Sequence, residues 1–239
     1  MRVVFVHGSV GNGPATFTAI EPLRGRFEVV VPNRGGYPPG PLLDRIDFEE
    51  QAEELAPLLG DGAHLVGHSY GGVIALLMAA RAPEAVRSLT VSEPPAFGVA
   101  RGQAEVDRLI AELETFFAAG PHEPADYLSG FLAIVGSAAR LPDPLPPELE
   151  QGARTLMAER GPWEADVPVQ ELAARRYPKL VVSGGHHPLY DLVCDEIAAA
   201  IGAETAVLPG AGHSVARAPG FNERLRDFLG RAETGVAPY

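Results

Sequence analysis

The 239 residues are 46% hydrophobic and 21% charged, a composition that can bury a sizeable core within one domain. The formal net charge of −12 argues against partners such as nucleic acid or an anionic membrane surface, because both require a basic protein surface. No apolar run approaches the roughly eighteen residues of a membrane helix. The chain starts in a strand-like segment without a leader pattern, which predicts a cytoplasmic protein.

Strand-like and helix-like segments alternate along the chain, a pattern typical of a parallel sheet with helices on both faces. Strands are predicted at residues 2–7, 27–32, 63–67, 88–92, 179–183 and 205–208. Helices are predicted at residues 15–24, 48–59, 70–82, 189–201 and 219–229. The sequence therefore predicts an α/β fold with a mostly parallel sheet of about six strands.

The stretch between the fourth and fifth predicted strands is about eighty residues long, whereas a simple crossover needs about a dozen. Helical spacing recurs within it at residues 106–119, 125–139 and 148–159. We expect this stretch to form a helical cap, residues 95–176, inserted into a core made of residues 1–94 and 177–239.

The third predicted strand runs into the motif Gly67-His68-Ser69-Tyr70-Gly71, which puts a serine between two glycines at the start of a helical pattern. A serine on such a tight turn needs neighbours without a Cβ, and the helix N-terminus favours a developing negative charge. Two more landmarks follow predicted strands. These are His7-Gly8 after the first strand and Gly210-Ala211-Gly212-His213 after the last.

In this order the three landmarks resemble the α/β-hydrolase fold family, over residues 3–230. The resemblance implies that Ser69 is a nucleophile and that His213 is its general base. It also implies an oxyanion hole formed by the backbone N–H groups of Tyr70 and Ser9, with Val10 as the alternative to Ser9. We expect His7 to brace its loop through hydrogen bonds rather than to take part in the chemistry.

The acid of the implied triad has two candidates. The family's usual position follows the penultimate strand, where this chain has His186 instead of an aspartate. A neutral imidazole would give little stabilisation to the imidazolium that forms on the base. Glu93 follows the fourth predicted strand, at the same sheet edge as Ser69, and some members of the family carry their acid there. We prefer Glu93. Asp191, another acid, and a dyad without an acid stay open as alternatives.

Neither a metal nor a cofactor is expected. The adjacent residues His186 and His187 cannot point both side chains at one ion from regular structure. The glycine-rich residues 8–13 lack the Gly-Lys-Ser/Thr ending of a phosphate-binding loop. Cys194, the single cysteine, lies in a helical pattern and is expected to pack in the core.

A serine at the nucleophile position argues against haloalkane dehalogenase and epoxide hydrolase chemistry, which needs a carboxylate there. The sequence predicts a serine hydrolase that cleaves a carboxylic ester, thioester or lactone through an acyl-enzyme. We expect a small-molecule substrate with an apolar acyl group, for which the predicted cap offers Phe116, Phe117, Tyr127, Phe131, Leu132, Ile134, Met157 and Trp163. A hydroxynitrile lyase-like enzyme with the same triad and a non-catalytic ligand receptor are the alternatives.

Overall fold

A computed structural model describes residues 1–137 and 139–235 of the chain. One sheet contains β1 (Arg2–Val6), β2 (Glu28–Val30), β3 (Ala63–His68), β4 (Val86–Ser92), β5 (Lys179–Ser183) and β6 (Glu204–Val207). Their order in the sheet is β2-β1-β3-β4-β5-β6, and every neighbouring pair is parallel. The predicted α/β fold with a parallel sheet is confirmed.

The helices of the described residues are α1 (Gly13–Thr16), α2 (Phe48–Leu55), α3 (Tyr70–Arg81), α4 (Ala104–Ala119), α5 (Pro124–Ile134), α6 (Pro147–Met157), α7 (Val169–Ala173), α8 (Pro188–Ile201) and α9 (Phe221–Thr234). Helix α3 is apolar on all sides, and every residue of it except Arg81 is buried. Such a helix is stable only when protein surrounds it, which places α3 at the centre of the molecule.

Alternate side chains of the central strands enter two separate cores. In β1, Val4 and Val6 pack with α3, whereas Val3 and Phe5 pack with α9 on the opposite face. This alternation follows from the two-residue period of a strand, and burial on both faces is usual for a parallel sheet. The predicted placement of helices on both faces is thereby confirmed.

The predicted helix at residues 15–24 is wrong. The chain instead forms the short α1 and then a separate 3₁₀ turn, Glu21–Gly25. Pro22 lies near the start of that turn, where its missing N–H costs nothing, whereas inside a continuous helix it would break the hydrogen-bond ladder. Pro57 acts similarly near the end of α2, because the last predicted turn there is the 3₁₀ segment Ala56–Leu59.

Helices α4 to α7 lie between β4 and β5 in the chain. The helix predicted at 125–139 ends earlier, at Ile134, and Gly136 follows with a φ of +69°. Ala138 of that prediction, and residues 236–239 of the predicted core, lie outside the described residues. We retain residues 95–176 as a proposed cap on residues 1–94 and 177–239.

Cys194 lies on α8 and is 3% exposed, as predicted for a core residue. Burial raises the pKa of its thiol, because the thiolate would lose its hydration. None of the helices in the described ranges is long and apolar enough to cross a bilayer.

Candidate active site

The turn between β3 and α3 holds Ser69 in a strained backbone conformation, with φ +53° and ψ −128°. A Cβ added to Gly67 would collide with the carbonyl oxygen of Gly71, and one added to Gly71 would collide with the carbonyl oxygens of Val6 and His7. The turn is fixed by the Ser69 amide, which donates to the Ser92 carbonyl at 2.9 Å. The motif therefore requires its glycines for the reason that the sequence suggested.

The structure brings Ser69, His213 and Glu93 into one hydrogen-bonded line. His213 Nε2 lies 2.9 Å from Ser69 Oγ, and His213 Nδ1 lies 2.7 Å from Glu93 Oε2. Glu93 comes directly after β4, and His213 lies in the loop after β6, so the three side chains meet at the carboxyl edge of the sheet. An arrangement of this kind can move a proton from a hydroxyl to an imidazole beside a buried carboxylate.

Glu93 is completely buried, and its backbone has a φ of +45°. Its second oxygen, Oε1, accepts a 2.6 Å hydrogen bond from the Gly184 amide. Buried carboxylates need such donors, and here both oxygens have one. Asp191, the alternative acid, lies in the first turn of α8 and makes no hydrogen bond or ion pair with His213 in the described part of the chain.

Ser9 and Tyr70 follow β1 and β3, two adjacent strands whose onward connections leave toward opposite edges of the sheet. The crevice at such a point is where open α/β sheets bind ligands. Within residues 1–137 and 139–235, neither the Ser9 nor the Tyr70 amide has a hydrogen-bond acceptor, so both remain available to a ligand. The Val10 amide, the alternative, instead points at Tyr37 Oη, 3.4 Å away.

His7 holds the loop that carries Ser9. Its Nδ1 lies 2.8 Å from the Gly8 carbonyl oxygen, and its Nε2 lies 2.9 Å from the Arg34 amide. Because a carbonyl only accepts and an amide only donates, Nδ1 carries the proton and Nε2 is the acceptor. Burial, with the nearby Arg34 charge, lowers the pKa of His7 to about 3. His7 is therefore a neutral brace, as expected.

His68 and His186 lie next to His213. His68 is buried with Nδ1 3.0 Å from Ser92 Oγ, and burial lowers the pKa of its ring. His186 Nδ1 lies 3.2 Å from Glu93 Oε1, although neither of its buried ring nitrogens makes a hydrogen bond within the described residues. The neighbouring His187 instead accepts from the Leu189 amide through its Nδ1, so the approach of His186 to Glu93 is a contact that the sequence did not indicate.

Glu93, His186 and His213 each offer one potential metal-ligand atom, and these atoms lie within 4.8 Å of one another. The three residues follow three different strands, so their spacing along the chain gives no sign of the cluster. The expectation of a metal-free site stays a prediction.

Two cavities adjoin Ser69. The larger has a volume of about 340 Å³, opens to solvent, and is lined mainly by apolar side chains of α5 and the following loop, with Arg140 and Arg217 also on its wall. The smaller, about 20 Å³, lies between Ser69 and the aromatic rings of Phe117 and Trp163. Phe131 lines both cavities and Leu132 lines the larger one. Phe116, Tyr127 and Met157 instead pack in the apolar cluster between α5 and α6, and Ile134 packs against the main core.

Arg34 and Glu159 are two buried charged residues near the site that the sequence did not indicate. Their side chains are 0% and 1% exposed, and Glu159 also lines the smaller cavity. They lie 125 positions apart in the chain, and neither belongs to a recognisable motif. A single sequence carries no signal that would pair them.

Comparison with known proteins gives two kinds of relative. The chain is similar to the dihydrolipoyllysine-residue acetyltransferase component of the acetoin cleaving system of Cupriavidus necator, with 27% identity over 243 residues, 95% of this chain and 63% of the relative. It is also similar to the pimeloyl-(acyl-carrier protein) methyl ester esterase of Aeromonas hydrophila subsp. hydrophila, with 33% identity over 98 residues, 40% of this chain and 39% of the esterase. The chain thus spans less than two thirds of the length of these curated relatives.

Structural comparison covers more of the molecule. The crystal structure of NosK from Streptomyces actuosus matches with a TM-score of 0.65 and 25% identity, over 97% of this chain and 98% of that chain. The alpha/beta hydrolase family matches residues 3–221, a range that includes His213 and all six strands except the first residue of β1. The resemblance inferred from three short motifs therefore extends along nearly the whole sequence, and the chain belongs to the alpha/beta hydrolase family.

Proposed function

We propose that the protein is a serine hydrolase that cleaves an ester-type bond through an acyl-enzyme. The observation that carries this proposal is the position of the His213 ring, which contacts Ser69 Oγ with one nitrogen and the buried Glu93 carboxylate with the other. A side chain held at both ends in this way has the geometry of a general base with its orienting acid.

The proposed reaction starts from one tautomer of His213. The Glu93 carboxylate only accepts, so the proton resides on Nδ1 and leaves Nε2 free to accept the Ser69 hydroxyl proton. Ser69 Oγ then attacks the carbonyl carbon of the substrate, and Glu93 stabilises the imidazolium that results. The free amides of Ser9 and Tyr70 would bind the oxyanion of the tetrahedral intermediate.

Collapse of the tetrahedral intermediate breaks the bond to the leaving alcohol, which takes the proton from His213 Nε2. An acyl-enzyme on Ser69 remains. Water then enters, gives a proton to His213 and attacks the acyl carbon, and the second collapse releases the acid and restores the Ser69 hydroxyl. No step requires a cofactor.

The two cavities favour an ester with one large and one small side. The cleft of about 340 Å³ suits a medium-sized apolar group. The cavity of about 20 Å³ has room for roughly one water molecule or a similarly small group. The similar esterases are methyl ester esterases, which supports a carboxylic ester over a thioester or lactone, although all three fit the same chemistry.

The test is a panel of activated esters with graded acyl length, followed in the pre-steady state. We expect a burst of alcohol release equal to the enzyme concentration, because acylation is faster than deacylation for activated esters. Ser69→Ala should remove the burst, whereas Ser129→Ala, an exposed serine of α5, should keep it.

Product identity separates the alternatives. A hydroxynitrile lyase would release an aldehyde or ketone and cyanide from a cyanohydrin without acylating Ser69, and a receptor would bind an ester unchanged. An ester panel that the enzyme does not hydrolyse, or hydrolysis that persists in Ser69→Ala, would overturn the proposed function.

A further inference from the structure

Three buried side chains form a polar cluster beside the proposed oxyanion hole, and we call Arg34, Tyr37 and Glu159 the Glu159 cluster. Glu159 Oε1 accepts from Arg34 Nη2 at 2.6 Å and from Tyr37 Oη at 2.7 Å. Arg34 and Tyr37 come from the loop after β2, whereas Glu159 follows α6, in the proposed cap. The cluster therefore joins two regions that are far apart in sequence.

The remaining oxygen of Glu159 reaches the residue that carries a proposed oxyanion donor. Ser9 Oγ donates to Glu159 Oε2 at 2.5 Å. Arg34 holds the same loop at two further points, since its Nη2 lies 3.3 Å from the Gly8 carbonyl oxygen and its amide donates to His7 Nε2. Ser9 is thus held through its hydroxyl group, Gly8 through its carbonyl oxygen, and His7 through its ring.

The cluster also contacts Tyr70, the residue of the second proposed donor. The Arg34 guanidinium lies 4.7 Å from the centre of the Tyr70 ring, a distance suited to a cation–π interaction. Tyr70 Oη donates to the carbonyl oxygen of Arg160, next to Glu159. That segment is anchored in turn, because the Arg160 amide donates to the Ile46 carbonyl and the Ile46 amide donates to the Ala158 carbonyl, both at 2.8 Å.

A buried ion pair is a poor means of stabilising a fold. Removing two charges from water costs several kcal/mol per ion, and apolar side chains of similar volume often serve as well or better. Burial raises the pKa of Glu159 above its usual value. The Arg34 charge and the hydroxyl groups of Ser9 and Tyr37 act in the opposite direction but do not cancel this effect. A cluster this costly suggests a role in holding its neighbours, Ser9 and Tyr70, in place.

We propose that Glu159 is a positioning residue for the oxyanion hole, acting through the Ser9 hydroxyl on the Ser9 amide. This inference rests on the proposed function, because it needs an oxyanion to form. Without the bond to Glu159, the Ser9 amide would be free to turn away from the carbonyl oxygen of the substrate. A displacement of about 1 Å at such a donor can cost about a hundredfold in rate.

The most direct variant is Ser9→Ala. It keeps the Ser9 amide and the Arg34–Glu159 ion pair, and it removes only the hydrogen bond from the Ser9 hydroxyl to Glu159. We expect kcat to fall about tenfold to a hundredfold with little change in KM, since the oxyanion forms only after the substrate binds. The affinity for an alkylboronic acid, whose adduct with Ser69 mimics the tetrahedral intermediate, should fall by the same factor. Ser129→Ala is the matched control and should change neither value.

A double-mutant cycle shows whether the effect runs through Glu159. Glu159→Gln would leave Arg34 as an uncompensated buried charge and risks unfolding the protein. Tyr37→Phe instead removes one donor to Glu159 and keeps the ion pair. We expect a smaller loss in Tyr37→Phe, and a loss in the double variant that is less than the product of the two single losses.

Two outcomes would overturn the inference. In the first, Ser9→Ala keeps kcat and boronic acid affinity within twofold of the wild type. In the second, its loss multiplies fully with that of Tyr37→Phe, which would mean that the Ser9 hydroxyl acts on the substrate directly. A wild type that hydrolyses none of the esters would instead refute the proposed function, so the two failures are distinguishable.

Discussion

Glu93, the proposed acid of the triad, follows β4, and its surroundings explain how its carboxylate reaches His213. It leaves β4 with a positive φ, an unusual conformation for a residue with a side chain, and this directs its carboxylate toward the loops after β5 and β6. The Gly184 amide and the His213 ring then take one oxygen each. His186, which follows β5, faces the same carboxylate.

Glu93→Gln should lower kcat by about a thousandfold to ten-thousandfold while the fold stays intact, because an amide can hold His213 in the wrong tautomer and cannot stabilise its imidazolium. Steady-state ester hydrolysis and circular dichroism measure the two effects. Asp191→Asn is the matched control and should keep near-normal turnover. The opposite result, with turnover lost only in Asp191→Asn, would reassign the acid.

His7 makes the folded protein sensitive to acid. Its pKa of about 3 in the fold lies below the usual value of 6.5, so between these values the unfolded chain binds a proton that the folded chain does not. The free energy of unfolding should therefore fall as the pH drops below 6.5, by about 1.4 kcal/mol per pH unit from this residue.

Urea titrations between pH 7 and 5 measure that slope. His7→Asn should be less stable at pH 7, since it loses the hydrogen bond from the Arg34 amide. Its free energy of unfolding should nevertheless change less steeply with pH, because one proton fewer is taken up when the chain unfolds. An unchanged slope in His7→Asn would show that other groups cause the acid sensitivity.

The cluster of Glu93, His186 and His213 allows a direct test of whether the site works without a metal ion. Glu93 and His213, two of the three residues of this cluster, are hydrogen-bonded to each other, so a cation bound between them would displace the proton that orients the base. We expect hydrolysis to be unaffected by EDTA and inhibited reversibly by Zn²⁺, which imidazole and carboxylate donors suit. Activity lost in EDTA and restored by a metal would contradict the metal-free mechanism.

At the scale of elements, the contact between β1, β3 and α3 determines where Ser69 stands. Gly71 lies in the first turn of α3, directly against the carbonyl oxygens at the end of β1. Because those atoms belong to a central strand, they cannot move aside as a flexible side chain would.

Gly71→Ala should therefore destabilise the protein by about 3 kcal/mol, the upper range for an overpacked core, and should displace Ser69 as well. Gly25→Ala is the control, since a Cβ at Gly25 meets nothing within 4 Å. Chemical denaturation compares the two, and equal stabilities would show that the strand end yields more easily than its packing suggests.

Elements with a strong local pattern could be predicted from the sequence, and those shaped by distant contacts could not. The buried run that forms β5 was predicted with the correct bounds, and α3 within one residue, because burial on all sides leaves an unbroken apolar pattern. The predicted helix at residues 15–24 is absent because the chain breaks into α1 and a 3₁₀ turn that begins around Pro22. Glu93 could be proposed from its place at a strand end, whereas the bond from Ser9 to Glu159 spans 150 positions and has no local signature.

For the whole molecule, the net charge of −12 should govern encounters with charged substrates. We expect kcat/KM for an ester that carries a carboxylate to rise with ionic strength, because salt screens the repulsion, and kcat/KM for a neutral ester of equal length to stay constant. Initial-rate assays from low to physiological salt concentration measure kcat/KM for both esters. A fall for the anionic ester would instead show that Arg140 and Arg217 on the cleft wall attract it.

The burial of Cys194 has a practical consequence for studying the cleft in solution. A thiol that is buried in the core beneath α8 and held in its protonated form reacts slowly with maleimides. A cysteine introduced at the exposed position of Ser129, on the helix whose Leu128 and Leu132 line the cleft, would then be the only site that takes up a fluorescent dye quickly. Labelling could proceed in the otherwise native chain, without first building a cysteine-free background.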